Sequence, residues 1–347
     1  MMYQYTLQFS SPAHFGLEGI GQERVEQRVR SDTLWGALIQ KWLLLFQDDA
    51  ASLCLNPPFH LSSTFPVIGG VHFFPVPSGS LDHLISRAAL SDDPPISLKA
   101  LKKVLYLAEP LFLRTLSGKP ITFEDVSPQP DDVFRPGMVF PEPGESGSHR
   151  SKNYSGSAVI QRPRLEIDRL RGAGIEGNFF YCSDQFFQES GGLFFLASFT
   201  DDESREKFEG ALRLLGDSGL GADRSIGRGL FMFHRKEYVL QKVNKPVAYL
   251  LLSLYHPKKD EVEKGILEGT GTAYSLVKRS GHAASHLVTG FRRNDLWMLA
   301  EGSVLVKKPV GDICPVLAKS DQPKIPHNVY RNGRAFYLPM NRPPGEV

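Results

Sequence analysis

GADRSIGRG, residues 221–229, separates a helix-like segment, Asp201–Leu215, from a strand-like run, Leu230–His234. Five of the fourteen residues from Gly216 to Gly229 are glycine, whereas the chain's 32 in 347 would give about 1.3, so the clustering is not compositional noise. Glycine permits positive φ and close backbone approach, and successive free N–H groups can form a concavity for anions. With Arg224 and Arg228 inside it, the loop suits a phosphate chain. The plainer reading of the same residues is a glycine turn before a strand.

Working outward, Tyr3–Phe9 (YQYTLQF) alternates with Tyr3, Tyr5, Leu7 and Phe9 on one face, as a half-buried strand does. A loop of about twenty residues with His14, Gly16, Gly19 and Gly21 follows. Apolar residues at 34, 35, 38, 39, 42, 43 and 46 then predict a helix, with Ser31 as its N-cap. Phe65–Phe74 reads as strands around the Gly69-Gly70 bend, and residues 82–107 as helical patches around a turn at Asp92–Pro95. Residues 117–157, with six prolines, lose periodicity and mark a long excursion. Ala158–Ile167, Asn178–Phe187 and Leu193–Phe199 predict strands before the helix at 201–215.

The order β-α-β-β-(excursion)-β-α-β over residues 1–240 is a split βαβ, ferredoxin-like arrangement with an insertion. Residues 241–347 restart as a smaller β-rich unit: a strand at Val247–Tyr255, a short helix at Asp260–Leu267, and strands at Thr272–Lys278, Leu296–Val306 and Ala335–Leu338. Asn332-Gly333 predicts a hairpin turn there. The fold class is therefore α+β.

Composition narrows the chemistry. Net charge is +2, so a nucleic-acid surface must come from local clustering. Cys54, Cys182 and Cys314 are odd in number and far apart, which argues against a disulfide framework or a cysteine-based metal site and fits a reducing cytoplasm. The most apolar helical stretch, Leu34–Phe46, is too short for a bilayer. No Walker lysine follows the glycine loop, no GxSxG motif occurs, and His282 with His286 lacks the glutamate of HExxH. No metal or cofactor is expected. His14 is the best general-base candidate, beside the alternative that it is an ordinary loop histidine. Basic residues do concentrate. Between 150 and 171, Arg150, Lys152, Arg162, Arg164, Arg169 and Arg171 face Glu166 and Asp168, a local balance of +4. In IQRPRLEIDRL, partial alternation places Arg162, Arg164, Glu166 and Asp168 on one face of an arm that would contact a phosphate backbone without reading bases. Such an arm beside a glycine loop on a ferredoxin-like sheet favours single-stranded nucleic acid.

Phe15-Gly16, Ser31-Asp32-Thr33-Leu34, Ile167-Asp168-Arg169, SIGRG at 225–229, AEGSVL at 300–305 and HNVYRNGRAFYLP at 327–339 follow one another along nearly the whole chain. In this order they resemble the RAMP superfamily of CRISPR proteins and, more narrowly, the family of the fourth subunit of the subtype III-A Csm complex. Asn332 stands where that family suggests an aromatic. The resemblance implies two ferredoxin-like (RRM-like) units with a β-hairpin thumb insertion at about 118–171. It implies a non-catalytic, cytoplasmic RNA-binding subunit that caps the 5′ repeat-derived tag of crRNA. Its partners would be the large polymerase-like CRISPR signature subunit and the first Csm backbone subunit. His14 and Ser31 would face the tag, Arg224, Ser225, Gly227, Arg228 and Gly229 would line its phosphates, and Arg162, Arg164 and Arg169 would support the arm. A related RAMP branch suggests the alternative, a metal-independent endoribonuclease processing precursor crRNA with His14 as general base.

Overall fold

The computed structural model describes residues 1–16, 25–91, 98–126, 138–139, 156–240, 243, 245–285, 288–318 and 327–341. Arg150, Lys152, Tyr154, Gly19, Gly21, His286, the Asp92–Pro95 turn and most of the excursion lie outside the described residues.

The first part of the chain runs β1 (Met2–Phe9), α1 (Ser31–Phe46), α2 (Ala50–Leu55), β2 (Phe59–Leu61), β3 (Phe65–Ile68), β4 (Val71–Pro75), α3 (Asp82–Ala89), α4 (Leu98–Leu101), β5 (Tyr106–Ala108), α5 (Glu109–Leu116), α6 (Phe123–Val126) and β6 (Met138–Val139). It continues with β7 (Ser157–Asp168), β8 (Ala173–Phe187), β9 (Gly192–Phe199), α7 (Asp202–Ser218) and β10 (Phe231–Glu237). The main sheet is ordered β10-β1-β9-β3-β4-β5-β6, with β2 also on β9. Its first four positions are the last, first, third and second strands of a split βαβ unit.

The strand β9 explains how one sheet serves two cores. Leu193, Phe195 and Ala197 point into a cluster with Tyr5, Trp42 and Phe208, beneath α1 and α7. Phe194 and Leu196 point the other way, into a cluster with Phe65, Phe74 and Phe112. Alternation sends successive side chains to opposite faces, and all five are buried. The helix α7 begins at Asp201, whose carboxylate accepts from the Ser204 N–H at 2.7 Å.

The second unit follows as β11 (Ala248–Leu251), α8 (Lys259–Glu263), β12 (Leu276–Arg279), β13 (His282–Ser285), β14 (Val288–Arg292), β15 (Leu296–Leu299), β16 (Val304–Leu305), β17 (Ile313–Leu317), β18 (Val329–Asn332) and β19 (Tyr337–Met340). The last strand of the first part ends at Glu237 and β11 starts at Ala248. The sheet β16-β11-β19 gains an Ala273–Val304 bridge on its far side. The strand order again reads last, first, third, second, with α8 after the first strand. Where a second helix would stand, the β17–β18 pair takes its place. This is a reduced ferredoxin-like unit. Its Ala248, Leu250, Leu252, Val304, Phe336 and Leu338 share the core of Phe74 and Phe194, so the two units are welded by apolar packing.

Three expectations differ from the structure. Asn332-Gly333 is no hairpin turn: β18 pairs with β17 and β19 with β11. The pair is a crossing between sheets, in which Asn332 Oδ1 accepts from the Arg334 N–H at 2.9 Å and a Cβ on Gly333 would meet His256 Cβ at 2.6 Å. Ser31 does not cap α1; Arg30 occupies that position without a side-chain cap, and Ser31 is the first helical residue. The arm also extends beyond 171, because β7 pairs with β8 from Ser157–Phe187 to Asp168–Ala173.

Candidate nucleic-acid interface

The arm is a long two-stranded ribbon whose base is fastened to the main sheet. Ala13 and Gln185 exchange both backbone hydrogen bonds, at 2.9 and 2.8 Å, and Phe187 stacks on Phe9 with centroids 4.4 Å apart. At the tip the Asp168 carboxylate accepts from the Leu170 N–H at 2.9 Å, and Gly172 takes φ +62°. Arg169 lies exposed on this tip.

Directly paired residues share a face of a ribbon. Arg162 faces Cys182 and Arg164 faces Phe180, so both arginines lie on one side with Asp184, the partner of Ile160. Pro163, Leu165, Phe179 and Tyr181 occupy the other, exposed side, with the Phe179 and Tyr181 rings 5.2 Å apart. The register is irregular between Leu165 and Ile167, where two steps along β7 are matched by five along β8.

The arginine side of the arm closes on the glycine loop. Arg164 Nη2 lies 2.7 Å from Asp223 Oδ2, Arg228 Nη2 is 2.8 Å from Asp184 Oδ2, and Arg162 Nε is 3.8 Å from the same oxygen. Two basic segments far apart in sequence thus meet, held by two carboxylates that the sequence reading passed over. Cys182 is buried at this junction, and burial pushes its thiol upward in pKa, so it stays protonated.

The loop's glycines serve this packing more than a ligand. Gly229 is buried and its N–H donates to the Pro12 carbonyl at 2.9 Å, while the Ala222 N–H donates to His14 O at 2.9 Å. A Cβ on Gly219, Gly221 or Gly229 would collide with the carbonyls of Arg228, His14 or Leu220. Gly229 is therefore not placed to line phosphates, contrary to expectation. Arg224, Ser225 and Gly227 form the exposed crest, with Gly227 at φ +78°. Lys41 of α1 lies near Arg224; burial and that guanidinium lower its pKa. Neither cation has a carboxylate partner among the described residues, leaving a local positive excess.

His14 is only 4% exposed, and its Nδ1 lies 2.6 Å from Ser183 O. It stitches the first loop to the arm rather than facing solvent. Ser31 is likewise buried, its hydroxyl accepting from the Leu254 N–H at 3.0 Å. Sequence reasoning placed it on the tag; the structure puts it between the two units.

The neighbours of Ser31 explain why. Asp32, 2% exposed by side chain, accepts from Arg279 at 3.0 and 3.1 Å and from Arg331. Burial alone would raise the Asp32 pKa, but Arg279 and Arg331 outweigh it and hold it well below the usual carboxylate range. Glu301 accepts from Ser63 Oγ and lies 3.1 Å from Arg28 and 2.9 Å from Arg30, which also pair with Glu26 at 3.6 and 2.6 Å. The motifs Ser31–Leu34, Ala300–Leu305 and the terminal VYRNGRAF thus meet as an ionic interlock between the units.

The sequence profile of the RAMP superfamily matches residues 6–232, and that of the CRISPR Csm4 C-terminal domain matches residues 244–340. The chain is 22% identical to CRISPR system Cms protein Csm4 of Methanocaldococcus jannaschii, over 96% of this chain and 95% of that protein. It is 23% identical to the protein of the same name from Thermococcus onnurineus, over 91% and 93%. A chain in the crystal structure of a Csm1–Csm4 cassette with cA4 matches with a TM-score of 0.60 and 19% identity, covering 99% of each chain. A chain of a Csm3–Csm4 subcomplex of the type III-A interference complex matches with a TM-score of 0.60 at 16% identity, covering 98% of this chain and 99% of that one. The chain belongs to the RAMP superfamily and, through its C-terminal domain, to the Csm4 subunits of type III CRISPR complexes.

Proposed function

We propose that this chain is a non-catalytic RNA-binding subunit of a type III-A Csm complex. It caps the 5′ tag of crRNA, sets its arm at the tag–spacer junction, and links the large signature subunit to the first backbone subunit. The observation that carries the reading is the closure of the arm's arginine face on the glycine loop, at the edge of a ferredoxin-like sheet. The relatives named in complexes with Csm1 and with Csm3 support the two protein partners.

Phosphates of a single strand run along the exposed Arg224 and Arg169 and the half-buried Lys41, while Arg162, Arg164 and Arg228 exchange their carboxylate partners for phosphate oxygens. Arg makes this exchange well because its planar fork fits both anions. The aromatic side of the arm offers Phe179 and Tyr181 for stacking against bases. Ser225 and Gly227 keep the crest small enough for a backbone to approach. The burial of His14 supports binding over cleavage, since a general base must reach the proton it takes.

The test is titration of tagged guide RNA at several salt concentrations. Arg224→Ala with Arg228→Ala weakens binding and lowers the slope of log K against log salt by about one to two. Wild-type binding by the double variant overturns the loop assignment. Product from precursor repeat RNA with the wild type but not with His14→Ala would restore the endoribonuclease.

A further inference from the structure

The interlock between the units is not electrically balanced at one end. Arg28 and Arg30 answer two glutamates, but Arg279, Arg293 and Arg331 converge on the single carboxylate of Asp32. Arg279 and Arg331 take its two oxygens. Arg293 has no ion-pair partner among the described residues, and burial, with Arg331 close by, pulls its pKa down to about 10. Its Nε and that of Arg331, a side chain 2% exposed, are buried without an acceptor. Glu26 and Glu301 also act on Arg279, which leaves Arg293 as the cation without a carboxylate of its own, and such a charge in a desolvated junction is costly. The junction stands at the N-terminus of a sixteen-residue helix, whose dipole also favours an anion.

We propose that the junction of Asp32, Arg279, Arg293 and Arg331 is an oxyanion site that holds one phosphate group between the two units. The site is distinct from the glycine loop, and the anion adds to the apolar packing that already joins the two units. Arg293 supplies the fork that reaches the phosphate, and Arg331 offers the remaining Nε–H. A phosphate fits the deficit because it presents several acceptor oxygens to planar donors and carries one to two negative charges. The phosphate belongs either to an RNA backbone or to a free phosphate group.

The full-length chain is melted in sodium chloride and in sodium phosphate of equal ionic strength. Near-saturating phosphate raises the wild-type midpoint by about 3 °C. Arg293→Gln loses this rise, yet melts no lower than wild type in chloride, because the surplus buried charge is gone. Arg293→Lys retains part of the rise. An equal rise in wild type and Arg293→Gln, or none in wild type, overturns the site. So does an Arg293→Gln variant that melts several degrees lower in chloride, which would make Arg293 a third stabilising partner of Asp32. A second arm titrates single-stranded RNA. A salt slope reduced by about one in Arg293→Gln assigns the phosphate to the RNA backbone. An unchanged slope, with the inorganic phosphate response lost, assigns it to a free phosphate group. The melting experiment contains no RNA, so its failure leaves the proposed RNA-binding function standing, and the converse holds.

Discussion

Asp32 and Arg224 show how differently two conspicuous residues of one chain act. Asp32 is buried among guanidiniums, so removing its charge leaves Arg279 and Arg331 without a counter-ion in a desolvated place. Breaking one partner of such a group costs about 3–5 kcal/mol, whereas changes at exposed positions usually stay within about 0.5 kcal/mol. In urea unfolding, Asp32→Asn is therefore expected to lose about 3–5 kcal/mol, and Arg224→Ala to lose almost nothing. The reverse order, with Arg224→Ala the more damaging to stability, would remove Asp32 from the interlock. The motif around Ser31 thus marks the domain junction, and its sequence signature reflects folding more than contact with RNA.

At the scale of elements, the arm is an appendage whose middle lies outside the main cores. Among the described side chains, none from residues 163–181 belongs to either large apolar cluster. Replacing 163–181 by an Asn-Gly turn, which suits a two-residue hairpin connection, removes Arg164 and Arg169 but leaves the anchor at Ala13–Gln185. The shortened protein is expected to unfold within about 1 kcal/mol of wild type and to bind tagged RNA about tenfold or more weakly, a loss of about 1.4 kcal/mol or more. Unchanged affinity would show that the arm does not touch the RNA. The outgoing strand was legible from the partial alternation of Ile160–Leu170 and β9 from its continuous apolar run, while β1, α1 and α7 were legible from periods that match their burial. The return strand was read as a separate strand, because local periodicity cannot tell which partner a strand takes. The irregular register near Glu166 was invisible for the same reason: a β-bulge is a property of the pair. The candidate site divided likewise. The exposed Arg224 and the arm arginines follow from local charge, but Asp184 and Asp223, which hold the two segments together, are single acids whose meaning appears only in three dimensions. His14 and Ser31 were placed on the ligand by resemblance, and burial moves both into the scaffold.

The whole molecule is two units sharing one apolar core, so groups caught between them titrate with folding. His60 sits on β2 between the buried Phe59 and Leu61, and its ring lies toward Arg334 of the second unit. Burial, then the Arg334 guanidinium, lowers its pKa from 6.5 to about 4. His72 is lowered by burial too, with Glu109 opposing and Lys236 assisting. A histidine whose folded pKa lies below its unfolded value binds its proton later in the folded chain. The unfolded state therefore takes up more protons between these values, and stability falls as pH drops from about 6.5 towards 4. The His60 shift corresponds to about 3 kcal/mol across that window. Asp32 and Glu301 act at lower pH. Both pKa values are depressed, so their contribution is complete above the ordinary carboxylate range and disappears only as pH falls through their folded values. The two limbs are therefore separable by substitution. Urea midpoints of wild type are expected to decline steadily from pH 6.5 to 4. His60→Gln should flatten much of that decline while leaving the acid limb below about pH 4 in place. A wild-type curve level between pH 6.5 and 4, or a decline of equal size in His60→Gln, would show that His60 does not sense closure of the two units.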